Sequence, residues 1–125
     1  MFQIMLEFDE EWAADDSHHI QGRFDCEIGI SPTIALRRAR TFLAGKVTMM
    51  SRVGEPILVL GQQARWRVPA YFNFPHLGEA GTLGSIEVDA QTGEVIPLTT
   101  EQIAAMKERA NVLAFRLTPQ TVTTV

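Results

Sequence analysis

Arg65, Arg67, Tyr71 and His76 form the set of residues in this chain whose types and spacing best suit chemistry. On an extended strand the alternation of side chains puts Arg65, Arg67 and Tyr71 on one face, opposite Trp66 and Phe72. Two guanidiniums on one face can take a carboxylate or phosphate in a forked geometry. Basic groups beside an aromatic ring also suit nucleic acid. The competing account is structural: a charged strand that opposes aggregation, or cations paired with acids elsewhere in the chain. The other constellations are weaker. Asp15-Asp16-Ser17-His18-His19 holds metal-ligand types, but contiguous rather than at helical or finger spacing, so it reads as a solvated acidic loop. Cys26 alternates with Ile28 and Ile30 and reads as a small core residue rather than a nucleophile served by His18, His19 or His76. Gly78-Glu79-Ala80-Gly81-Thr82-Leu83-Gly84 leads into a strand and lacks the Lys-Ser/Thr ending of a phosphate loop, so it reads as a mobile connection. No paired carboxylates, triad spacing or metal cage stands out, and no cofactor is expected.

These residues must be positioned by elements with clear signals. Ser31-Pro32 starts a helix predicted over Pro32–Ala44, with Ser31 as N-cap and Gly45 at its C-terminal cap. Ala35, Leu36, Ala39, Phe42, Leu43 and Val47 fall on one arc of it, away from Arg37, Arg38 and Arg40. Ile57–Leu60 reads as a buried strand. The run from Arg65 to Phe74 reads as a strand that Pro69 confines to an edge or a bulge. A loop is expected over 75–82. Residues Gly84–Ile96 spell a hairpin: Ile86, Val88 and Ala90 alternate with polar residues, Asp89 can accept turn N–H groups, and Gly93 can take φ > 0. Phe2–Phe8 and Asp25–Ile30 alternate and suggest two further strands that pair as a hairpin. Thr99 and Gln102 have capping-box spacing ahead of a final helix with the stripe Ile103, Met106, Ala110, Leu113 and Leu117. The expected fold is α+β, an antiparallel sheet of four to six strands with one helix packed on a face and a second helix at the C-terminus.

The helix, the strands and the closing Val88-Asp89-Ala90-Gln91-Thr92-Gly93-Glu94-Val95-Ile96 hairpin resemble PepSY-type domains over residues 31–98. Those are small α+β modules found as peptidase propeptides and as binding domains at cell envelopes. The resemblance implies a binding role. The chain departs from the pattern in its N-terminal segment and in the helix after the hairpin.

With 125 residues, 46% apolar and 21% charged, the chain has the composition of one globular domain. No run approaches the ~18 apolar residues of a membrane span, the N-terminus lacks a basic signal region, and one cysteine argues for no oxidising compartment. A cytoplasmic location is expected, with residues 118–125 as a loose tail. The net charge of −4 is unevenly spread: residues 1–30 hold eight acids against Arg23, and residues 31–67 hold seven bases against Glu55. The two segments are expected to face each other within the fold or across a dimer, because the acidic one is tethered at high effective concentration. That tether argues against nucleic acid binding through residues 37–67. The function expected is therefore a non-enzymatic binding or regulatory module, acting through protein–protein contacts and as a homodimer. The alternative is a small-ligand domain or enzyme around Arg65, Arg67, Tyr71 and His76, and a weaker alternative is nucleic-acid binding through the basic segment 37–67.

Overall fold

The computed structural model describes residues 3–7, 17, 19 and 21–117. Helix α1 spans Pro32–Lys46; the Ser31 Oγ accepts the Ile34 N–H at 3.3 Å and Pro32 supplies the first turn. The helix runs through Gly45 and closes at Val47, whose N–H donates to the Leu43 carbonyl at 2.9 Å. Gly45 is therefore helical, not the cap. The strands are β1 (Gln3–Leu6), β2 (Ser51–Val53), β3 (Ile57–Leu60), β4 (Arg65–Phe74) and β5 (Gly78–Asp89), and α2 spans Thr100–Leu117. At the start of α2, the Thr99 Oγ1 accepts from Gln102 N–H and the Gln102 Oε1 accepts from Thr99 N–H, closing the capping box. No helix among the described residues is long and apolar enough to cross a membrane.

The five-stranded sheet is centred on β4. β5 pairs antiparallel along one edge of β4, while β2 and β3 lie end to end along the other. β1 adds outside β3 in parallel register, Gln3 opposite Ile57 and Leu6 opposite Leu60. The sheet is thus α+β but mixed, and the expected hairpin between an N-terminal strand and Asp25–Ile30 does not form. Residues 21–30 hold no strand, and Cys26 is exposed rather than in the core. The backbone of that segment reaches the hairpin instead, through Gly29 and Ile30 N–H groups that both donate to the Ala90 carbonyl at 2.9 and 3.1 Å.

Pro69 sits in the interior strand, contrary to the edge placement, and the register shows how. In an antiparallel strand the N–H and C=O of one residue face the same neighbour. The Pro69 carbonyl accepts from Gly54 N–H at 2.9 Å, so the missing donor falls where the ladder breaks between Val53 and Ile57. A bulge follows at once. The β4–β5 partners step from Ala70–Gly84 to Tyr71–Thr82 and from Phe72–Gly81 to Asn73–Glu79, leaving Leu83 and Ala80 as extra residues. The glycine-rich run expected as a mobile connection is therefore strand, and the loop shrinks to Pro75–Leu77. The Leu83 side chain is fully buried and its carbonyl accepts Arg109 Nη1 at 2.7 Å from α2.

One buried cluster combines Ala35, Ala39 and Leu43 of α1, Met106 and Ala110 of α2, and Trp66, Val68, Ala70 and Phe72 of β4 with Leu83, Ile86 and Val88 of β5. The hairpin turn is built as its residues suggest. Asp89 Oδ1 accepts Gln91 and Thr92 N–H groups at 2.8 and 2.9 Å, and Gly93 has φ 82°. These N–H groups, Thr92 first, hold the Asp89 carboxyl below its ordinary range. The returning arm is a single bridge at Val95 rather than a strand. Gly93→Ala is expected to cost about 1–2 kcal/mol in urea unfolding, the penalty of a Cβ in left-handed backbone; unchanged stability would mean the turn relaxes freely.

Candidate functional site

The face of the sheet opposite the core carries a closed ring of charge. Arg65 and Arg67 stand two residues apart on β4, and Glu87 lies on β5 directly opposite Arg67. Glu7 follows β1, its N–H donating to the Leu60 carbonyl at 3.0 Å, which brings its carboxylate over β3 to the arginines. Glu87 Oε1 accepts Arg67 Nε at 2.7 Å, and Glu87 Oε2 lies 3.5 Å from Arg65 Nε. Glu7 Oε2 accepts from Arg65 Nη2 and stands 3.4 Å from Arg67 Nη2. Carboxylates and guanidiniums therefore alternate around the ring, two of each. The hydrogen bond that Arg67 donates to Glu87 raises the Arg67 pKa above its usual value, against the opposing effect of burial and with Glu7 adding to the rise.

The ring is graded in exposure. The Arg65 side chain is 16% exposed and the Glu7 side chain 41%, so Glu7 is its most accessible member. Beneath it Val59, paired with Met5 on one side and Arg65 on the other, is fully buried. Arg67 Nη1 also lies 3.4 Å from the Met5 sulfur, a weak contact that again ties β4 to β1. Glu87 Oε2 is buried and accepts no hydrogen bond, leaving the Arg65 ion pair as its compensation.

The four residues singled out in the sequence are not brought together. Arg65 and Arg67 are in the ring. Tyr71 lies on the same face, about 13 Å further along β4 at ~3.3 Å per residue, with its ring over Gly54. His76 occupies the turn at the far end with φ 72°. Among the described residues, the expected pairing of acidic and basic segments is present where Glu7 meets Arg65 and Arg67. Arg37, Arg38 and Arg40 are exposed on α1. Arg37 and Arg38 line an open cleft of about 550 Å³ with Phe42, Gly93, Glu94 and Val95. Five of the eight acids of the acidic segment, Asp15 and Asp16 among them, lie outside the described residues with His18, as does the tail 118–125. Among the described residues no group of three or more His, Cys, Asp or Glu could hold a metal ion.

Glu87 is the ring residue that sequence reasoning missed. Its signal was present: on a hairpin paired through Trp66–Val88, Glu87 must face Arg67. Chemically the ring is balanced, so it joins β1, β4 and β5 and presents a carboxylate-binding fork filled from within the chain. Comparisons with protein-family models, with curated proteins and with solved structures find no match.

Proposed function

We propose that this chain is a non-enzymatic binding or regulatory module that acts through protein–protein contacts and works as a homodimer. The observation that carries the reading is a group of large apolar side chains at one end of the molecule. Met49 is 81% exposed and Phe115 69%, with Leu77 and Met50 also open to solvent. The topology gathers them. Met49 and Met50 follow α1, with the Met50 carbonyl accepting from Asn73 N–H at 3.0 Å, Leu77 is in the β4–β5 turn, and Phe115 is in the last turn of α2. Beside Met50 a cleft of about 160 Å³ is lined by Val47, Phe72, Ala110 and Ala114 among others. Apolar groups clustered this way favour a protein partner, and flexible methionines adapt to the surface they meet. A second copy related by a two-fold axis would bury both patches at once. The PepSY-like pattern over residues 31–98 supports a binding role. The exposed thiol of Cys26 fits a reducing cytoplasm, where it would not form bridges between copies.

Sedimentation velocity tests the dimer. The wild-type chain is expected to sediment as a dimer at concentrations around ten micromolar, the range of a specific but modest interface. Met49→Asp combined with Phe115→Asp should give a monomer with an unchanged circular dichroism spectrum. A wild-type monomer at every concentration, or a double variant that stays dimeric, would overturn the reading.

A further inference from the structure

We propose that the outer edge of β3, with the Arg65–Arg67 fork beside it, is a docking site for an extended segment of a partner protein that carries a carboxylate just beyond its last paired residue. In this structure β1 and Glu7 occupy the site from within the chain. The inference rests on the reading of the chain as a protein-binding module, but uses the end of β4 remote from the Met49–Phe115 patch, about 25–30 Å away along the strand.

Three observations point to a site built for an exchangeable strand. First, β1 is held by its backbone, the adjoining Glu7 carboxylate and a weak Met5 contact rather than by burial. All four of its residues are exposed, Ile4 at 61% and Leu6 at 44%, while the backbone keeps a four-residue parallel register with β3. Main-chain pairing for affinity and one side-chain pocket for selectivity is the logic of strand addition at a sheet edge.

Second, the fork is organised without Glu7. Glu87 is hydrogen-bonded to Arg67 and ion-paired to Arg65 from β5, so both guanidiniums stay aimed across the face when the Glu7 carboxylate leaves. Two cations would then face one anion, an excess of a single positive charge on the fork. That imbalance calls for a carboxylate, and an Arg fork binds one in a directed, charge-assisted way.

Third, β1 and α1 are separated in the chain by the residues from Glu7 to Ser31, and no β1 residue belongs to the buried cluster, which therefore does not depend on that strand. A tether of that length presents β1 at roughly millimolar effective concentration. The resident strand therefore acts as a built-in competitor. A partner succeeds only if it is locally concentrated or carries side chains that bury more than Ile4 and Leu6 do.

The probe is a peptide of the sequence Phe-Gln-Ile-Met-Leu-Glu-Phe, capped at both ends, titrated into the isotopically labelled full chain. Glu7→Lys places a third cation against the fork and should release β1. The peptide should then shift the Val59 and Leu60 amides and bind at least about tenfold more tightly to this variant than to wild type, the scale of a charge-assisted contact. Replacing the peptide's glutamate by glutamine should lose about tenfold, and added salt should weaken binding. Glu7→Gln, a milder change, should give the same order with a smaller gain, which keeps the test open if the lysine variant unfolds. Equal binding of the peptide to variant and wild type, or equal binding of the glutamate and glutamine peptides, would overturn the proposal. A chain that sediments as the Met49–Phe115 dimer yet refuses the peptide refutes this site alone.

Discussion

Trp66→Ala is expected to remove about 3–5 kcal/mol of folding stability, the range for deleting a large aromatic from a packed interior. Trp66 is 1% exposed on the central strand, between Leu58 of β3 and Val88 of β5 in register. The surrounding cluster cannot collapse into the space, because β4 is fixed by ladders on both sides. The indole adds a second contribution: Nε1 donates to the Ile30 carbonyl at 3.3 Å and so ties the chain entering α1 to the sheet. Domains have only about 5–15 kcal/mol to lose, so the urea midpoint should fall by about a fifth or more. Trp66→Phe separates the two contributions. It keeps most of the volume and removes the donor, and should cost about 1–2 kcal/mol, chiefly from the carbonyl left without a partner. Unfolding followed by far-ultraviolet circular dichroism checks both. A Trp66→Ala loss under about 1 kcal/mol would mean that the core repacks around the gap, against the usual behaviour of close-packed interiors.

The parts of this fold that were legible in the sequence are those set by neighbours a few residues apart. Ser31-Pro32, the Thr99–Gln102 box and Asp89 with Gly93 each specify a local hydrogen-bond pattern, and all three form as their residue types require. The alternation of Trp66, Val68, Ala70 and Phe72 likewise marks the buried face of β4. What failed depended on partners far away. Residues 25–30 alternate as a strand would, but a strand needs an edge to pair with, and the edge of β3 is taken by β1. Parallel pairing of β1 with β3 joins residues more than fifty positions apart, and nothing near Ile4 encodes it. The Gly78–Gly84 run escaped detection for a different reason. Extra residues at Ala80 and Leu83 reset the two-residue period twice, so the strand's own pattern is erased where its bulges lie.

The site divides in the same way. The shared face of Arg65, Arg67 and Tyr71 follows from strand geometry and was readable. His76 was grouped with them by proximity in sequence, but an extended strand carries successive residues apart, so it ends on the other side of the molecule. The competing structural account, cations paired with acids elsewhere in the chain, describes what the guanidiniums do with Glu7 and Glu87. Their anions come from the chain itself, one from each flank of the sheet.

Gly29→Val is the second large effect expected, at about 3 kcal/mol. A Cβ built on Gly29 would lie 2.1 Å from the Gln91 carbonyl oxygen and 3.0 Å from its carbon. Both are backbone atoms of a turn already fixed by Asp89, so the collision cannot be relieved by rotating a side chain. The Gly29–Ile30 segment must lift instead. Lifting breaks the two N–H bonds to the Ala90 carbonyl and takes the Ile30 carbonyl away from the Trp66 indole. It also withdraws the Ile30 side chain from Gly93, where it packs against the far side of the turn. Lifting relieves the collision itself, so the cost is that of the three lost hydrogen bonds, each about 1 kcal/mol. Because the collision is at Cβ, Gly29→Ala should cost within about 1 kcal/mol of Gly29→Val, a distinction from ordinary crowding, where the larger side chain is far worse. Urea unfolding of the two variants measures this, and amide exchange at Gly29 and Ile30 reports whether the segment has lifted. Protection lost at both amides with β4 still protected would place the damage at this crossing. An Ala variant as stable as wild type would show that the hairpin turn yields rather than the segment that leads into α1.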